Sequence, residues 1–286
     1  MKKLLKLGIF SLLILSLTGC FKRDNYENIT IYTTIYPIEF ITESLYGEHA
    51  KINSIYPSGI DINTYVLTNK KLNDYSKGNL FIYNGLSKEK DIAATLLNKN
   101  KKMDIIDVSQ GLEVKNDLTE LWLSPSNFLM MTSNVKNNLK NFITYKGLLN
   151  SIDKNYDEIK LKISEYDAEL KLIAENASNK KLIVANNTFK FLEKYGFEVI
   201  SIASEEENSN TIVSQAEKNF SSKLNSYLFI LKGTEENDTI KNLVNKGAKK
   251  VYVPNMITLT EEERKNNSDY YSLMRDFINE IKAEVY

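Results

Sequence analysis

The sequence predicts an α/β fold of two similar lobes, each a mostly parallel four-stranded sheet with helices on both faces, joined by one long backbone helix. Three observations carry this expectation. Short runs rich in β-branched and aromatic residues alternate with amphipathic stretches along the chain. That alternation occurs twice, with four strand-like runs in each half. Between the halves, Ile152, Tyr156, Ile159, Ile163, Tyr166, Leu170 and Ile173 recur at alternating spacings of four and three, among mostly charged and polar neighbours.

The strand-like runs of the first half are Ile29–Ile35, Lys51–Tyr56, Asn79–Tyr83 and Met103–Val108. Helical stretches lie between them at Pro37–Tyr46, Lys71–Lys77 and Ser87–Leu97. Pro37 suits a helix start, where a missing N–H costs nothing. The central stripe predicts one helix from about Asn150 to Asn176, roughly 40 Å long at 1.5 Å per residue. A single apolar stripe serves either a coiled-coil seam or a rod packed across two bodies. Lobes on both sides favour the rod, which limits the lobes to small relative motions. In the second half the strand-like runs are Lys181–Ala185, Phe197–Ala203, Tyr227–Lys232 and Lys249–Val253. The helical stretches there are Thr188–Tyr195, Thr211–Leu224, Glu235–Lys246 and Glu261–Ala283.

The N-terminus has a different character. Lys2, Lys3 and Lys6 precede an apolar run from Leu7 to Leu17, and Leu17-Thr18-Gly19-Cys20 follows. A basic segment, a short apolar core and small residues before a cysteine make a lipoprotein export signal. The run is shorter than the roughly 20 residues that cross a bilayer. Cys20, the only cysteine, is therefore expected to become the lipidated first residue, anchoring the protein outside the cytoplasm. The expected organisation is a signal at 1–19, a tether at 20–27, an N-terminal lobe at 28–149, the linking helix at 150–177 and a C-terminal lobe at 178–286.

Composition narrows the function. The signal holds three of the 37 basic residues and none of the 37 acidic ones, so the exported part is slightly acidic. No basic patch points to nucleic acid. With one histidine and a lipidated cysteine there is no base or thiolate for nucleophilic or zinc hydrolysis, and no Gly-x-Ser-x-Gly elbow or phosphate-cradling glycine loop. An enzyme is not expected.

The four prolines mark four segments worth reading. The first strand runs into Pro37. Pro57-Ser58-Gly59-Ile60-Asp61-Ile62-Asn63-Thr64-Tyr65 follows the second strand. Pro125 closes Glu120-Leu121-Trp122-Leu123-Ser124-Pro125, and Pro254 closes Val251-Tyr252-Val253-Pro254. With Leu80-Phe81-Ile82-Tyr83-Asn84-Gly85 and Lys194-Tyr195-Gly196-Phe197-Glu198-Val199-Ile200-Ser201-Ile202, these segments resemble, in order, those of the TroA-like solute-binding lipoproteins of zinc and manganese ABC transporters.

The resemblance implies two lobes on a long helix, a divalent metal (zinc or manganese) gripped in the cleft between them, and an ABC permease as partner. It places the ion-holding positions at Asn63, Glu120, Asn186 and Val253. The family's motifs carry a histidine at the first two, a histidine or glutamate at the third and an aspartate at the fourth. Here one carboxylate and two amides remain. Zinc favours imidazole and thiolate, and manganese accepts carboxylate with imidazole, so this set is a degenerate metal site. Weak binding of a hard cation by oxygen donors is the most it offers.

Asp61 either substitutes for a lost ligand or caps its own turn. Tyr65 is a candidate cleft-lining residue, and Trp122 either lines the cleft or fills core. Asn186 either meets a ligand or caps a helix. His49, in a turn far from these motifs, reads as a surface residue, and Glu205-Glu206-Glu207 as a solvated acidic loop. The expected function is a membrane-anchored solute-binding protein of a metal-type ABC transporter, with no resident cofactor. The alternatives are a surface interaction protein or adhesin, and a binder of a polar organic solute, either one keeping the fold without metal.

Overall fold

The computed structural model of the protein describes residues 26–112, 120–203 and 209–286. The export signal, Cys20, most of the tether and Glu205–Glu207 lie outside the described residues.

The N-terminal lobe is built from β1 (Ile29–Thr33), α1 (Tyr36–Tyr46), β2 (Ala50–Ser54), α2 (Asn69–Tyr75), β3 (Leu80–Tyr83), α3 (Glu89–Lys99) and β4 (Asp104–Asp107). Its strands are all parallel, in the order β2-β1-β3-β4. A 3-10 turn at Leu121–Leu123 leads into α4 (Pro125–Phe142), and then α5 (Lys146–Asn176) leaves the lobe. The C-terminal lobe repeats the plan with β5 (Lys181–Val184), β6 (Glu198–Ser201), α6 (Ser209–Ser221), β7 (Tyr227–Leu231), α7 (Asp238–Asn245), β8 (Lys249–Val253), α8 (Glu261–Lys265) and α9 (Tyr270–Val285). Its order, β6-β5-β7-β8, is the same topology and is again all parallel.

Parallel strands covered on both faces read as continuous apolar runs rather than alternating ones. Leu228-Phe229-Ile230-Leu231 of β7 is such a run, and all four side chains are buried. Phe229 and Leu231 join the large core that continues into the other lobe, while Leu228 and Ile230 face a second cluster with Ala216, Phe220, Ile240 and Leu243 from α6 and α7.

The 31 residues of α5 span about 46 Å. The predicted stripe is the buried face: Ile152, Ile159, Ile163, Tyr166, Leu170 and Ile173 are buried, and Tyr156 is half-buried beneath Lys136. The rod touches both lobes. Asn155 Nδ2 donates to Leu45 O at 2.9 Å on the N-terminal side. On the C-terminal side the Tyr166 hydroxyl donates to Tyr271 O at 3.0 Å, and Glu169 pairs with Arg275.

Three local expectations differ from the fold. The stretch Glu261–Ala283 is two helices: Asn267 takes a left-handed φ of 51°, and Asp269 starts α9 with a reciprocal capping box. Thr188–Tyr195 lies within a 3-10 segment, Asn187–Tyr195. Helix α4 has no counterpart among the predicted elements.

Candidate functional site

Ligands of open parallel sheets sit beyond the carboxyl ends of the strands. A cavity of about 540 Å³ lies there, walled by both lobes. The N-terminal lobe contributes Gly59 to Asn63 and Glu120; the C-terminal lobe contributes Leu231 to Glu235, Pro254 to Thr260, Glu263 and Leu273.

The N-terminal wall is the loop after β2. Gly59 has a φ of 71°, a backbone state that other residues rarely adopt. Asp61 folds the next turn: its Oδ1 accepts from Asn63 N at 2.8 Å, and its carbonyl accepts from Tyr65 N at 3.0 Å. The Asp61 carboxylate is thus engaged in its own loop, while Asn63 stands exposed at the cavity. Glu120 is buried at the cavity just before the 3-10 turn. Tyr65 is not among the lining residues; its ring packs edge-on against Tyr56, and its hydroxyl meets the Lys71 ammonium.

The C-terminal wall is held from behind. Asn186 Oδ1 accepts from Leu231 N at 2.9 Å, and its Nδ2 donates to Thr234 Oγ1 at 3.0 Å. Both ends of that amide brace the loop that lines the cavity. Val253 is buried at the end of β8, and its carbonyl accepts from Lys232 N at 2.8 Å. Of the four positions that the resemblance singles out, Asn63 and Glu120 line the cavity, whereas Asn186 and Val253 are not among its lining residues.

Glu263 reciprocally caps α8 with Thr260 and pairs with Lys232 at 3.3 Å. Desolvation raises its carboxyl, but the Thr260 hydrogen bonds and Lys232 outweigh that and hold it below the ordinary glutamate range. Arg264, next along the helix, crosses to the other lobe. Its Nε donates to Ser58 Oγ at 2.7 Å and its Nη2 to Glu39 Oε2 at 3.1 Å. Tyr36 N donates to Ile257 O at 2.9 Å beside it. Trp122 is buried in the core rather than among the lining residues, and its indole Nε1 donates to Asn255 O at 2.8 Å. The Tyr270 hydroxyl donates to Trp122 O at 2.7 Å.

Sequence reasoning missed Asn255 and Arg264. Asn255 Nδ2 also donates to Lys232 O at 2.9 Å, so its side chain joins both C-terminal loops while its backbone carbonyl accepts from Trp122 Nε1. The pair Pro254-Asn255 after β8 is a turn signal, which marks the loop but not its partners. Among three arginines and a large excess of lysines, Arg264 is placed where only a planar fork reaches two acceptors.

No group of three or more His, Cys, Asp or Glu side chains able to hold a metal ion occurs among the described residues. His49 precedes β2, whereas the cavity loop follows it, so the imidazole lies at the opposite end of that strand, where it faces Glu27 at 3.7 Å.

Residues 31–284 match the profile of the family described as "Zinc-uptake complex component A periplasmic", ZnuA. The manganese ABC transporter substrate-binding lipoprotein PsaA of Streptococcus pneumoniae is 26% identical over 68% of this chain and 70% of its own. A metal ABC transporter substrate-binding lipoprotein of Lactococcus lactis is 25% identical over 94% and 93%. The metal-dependent lipoprotein YcdH of Bacillus subtilis superposes with a TM-score of 0.75 at 18% identity, over 90% of this chain and 99% of its own, which shows the shared fold. With its profile matched from the first strand to the last helix, the chain belongs to the ZnuA family.

Proposed function

We infer that this protein is the extracytoplasmic solute-binding component of an ABC transporter of the metal-ion type, tethered to the membrane by lipid on Cys20. The observation that carries this reading is the cavity at the carboxyl ends of two matched parallel sheets, walled by two lobes that one long helix joins. The family is one of solute-binding proteins, not enzymes, and implies an ABC permease as partner and a metal ion as ligand. The relatives' names, manganese in one and metal in another, support a transport role. Among the described residues no helix is long and apolar enough to cross a membrane.

In this chain the grip on a metal is degenerate. Asn63 and Glu120 remain at the cavity, Asn186 has its oxygen engaged by Leu231 N, and Val253 offers no side-chain donor. Cross-linking in native membranes followed by purification of the chain tests the transport role. Recovery of a permease with its ATPase is expected; recovery of the chain alone overturns it. Labelling with radioactive palmitate tests the tether: label should enter the wild type and be lost in Cys20→Ser.

A further inference from the structure

We propose that the interlobe cavity binds an organic cation, a solute with protonated amine or guanidinium groups on an apolar frame, in place of a bare divalent metal ion. The proposal rests on the solute-binding reading above and names the class of its cargo.

Size is the first argument. A volume of about 540 Å³ falls within the range of small-molecule sites, about 300–1,000 Å³. A bare ion needs donors gathered within about 2.0–2.2 Å of one point, and no such group of His, Cys, Asp or Glu occurs among the described residues.

Charge is the second. Asp61 and Glu120 come from one lobe, Glu235 and Glu263 from the other, against the single ammonium of Lys232. Lys232 is itself paired with Glu263. The wall is therefore net negative, with acidic groups on both sides. Because these groups do not gather three to a point among the described residues, they suit charge spread over a molecule better than charge concentrated in an ion. A cleft of one sign between low-dielectric walls concentrates the opposite sign.

The walls between the carboxylates are the third. Ile60, Ile62 and Ile257 line the same cavity and keep part of their side chains exposed, backed by the buried Met256, Leu259 and Leu273. Such surface gains from covering hydrocarbon, which a hydrated metal ion does not carry.

Isothermal titration of the full-length chain in detergent tests this, with spermidine and arginine as organic probes and zinc chloride and manganese chloride as metal probes. At least one organic probe should bind one-to-one. Its affinity should fall about tenfold or more in Glu120→Gln and in Asp61→Asn, and fall again when salt is raised from about 50 to about 300 mM. Glu198→Gln, an exposed carboxylate outside the cavity, should leave it unchanged. Zinc or manganese binding one-to-one more tightly than either organic probe overturns the proposal while leaving the solute-binding role intact. Heat from neither organic probe also overturns it. If the chain in addition fails to recover a permease from native membranes, the broader reading falls with it.

Discussion

The indole of Trp122 donates its Nε1–H to the carbonyl of Asn255 at 2.8 Å, joining the segment that leaves the N-terminal lobe to the loop that walls the cleft in the other. The same Asn255 holds Lys232 O through Nδ2, and the Tyr270 hydroxyl holds Trp122 O. The back of the cleft is thus one connected set of hydrogen bonds spanning both lobes.

Replacing Trp122 by Phe removes that donor and leaves a gap in the core. A loss of about 2 kcal/mol is expected, from one net hydrogen bond plus the missing ring. Urea unfolding followed by circular dichroism measures it, as a lower midpoint at unchanged slope. An unchanged midpoint means the bond contributes nothing to holding the lobes.

Arg264 clasps the rim. Its fork reaches Ser58 and the largely buried Glu39 across the lobe boundary. Because the guanidinium is itself partly exposed, Arg264→Ala should cost only about 1 kcal/mol. Its larger effect should be on geometry. Spin labels at the exposed positions Thr64 and Glu261 should show a longer and broader distance distribution in the variant. Identical distributions would assign the clasp no part in holding the cleft closed.

Glu89 sits buried at the carboxyl edge of the N-terminal sheet, where its Oε2 accepts from Asn84 N at 2.8 Å. Burial, opposed by the Asn84 amide and reinforced by Asp107, pushes its carboxyl up to about 7. Unfolded, it titrates near ~4.3, so between these values the folded state holds more protons and stability falls as pH rises. The loss, about 4 kcal/mol, runs from roughly pH 4.3 to 7 and then levels off for this group. Glu89→Gln should flatten that part of the profile in thermal melts from pH 4.5 to 8. A slope unchanged by the substitution contradicts the assignment.

Ile163 lies at the middle of α5 and is fully packed. Ile163→Ala should cost about 2–4 kcal/mol by loss of buried methyls and the cavity left behind. One cooperative transition for the whole molecule is expected, because the same core runs through both lobes. Two separated transitions would show that the rod does not couple them.

Much of this fold was legible in the sequence because its signals are local. Every predicted strand lies within a residue or two of an observed one, since parallel core strands are dense in β-branched and aromatic residues. The α5 stripe was visible for the same reason. Helix α4 escaped although Phe128, Met131, Val135 and Leu139 keep helical spacing, because Asn and Ser between them read as loop. The site was less legible. The positions of Asn63 and Glu120 at the cavity follow from where their loops leave the sheet, but the engagement of Asn186 with Leu231 and Thr234 depends on a contact 45 to 48 residues away in sequence. The reach of Arg264 to Ser58 and Glu39, over 206 and 225 residues, is likewise invisible to local pattern.

In this ZnuA-family scaffold we propose that the cleft lacks the ligands to grip a transition metal. Elemental analysis of the chain, purified from cells grown in metal-replete medium and dialysed without chelator, tests it most directly. Zinc, manganese and iron are each expected far below one equivalent per chain. One equivalent of any of them, lost on substitution of Asn63 or Glu120, would contradict it.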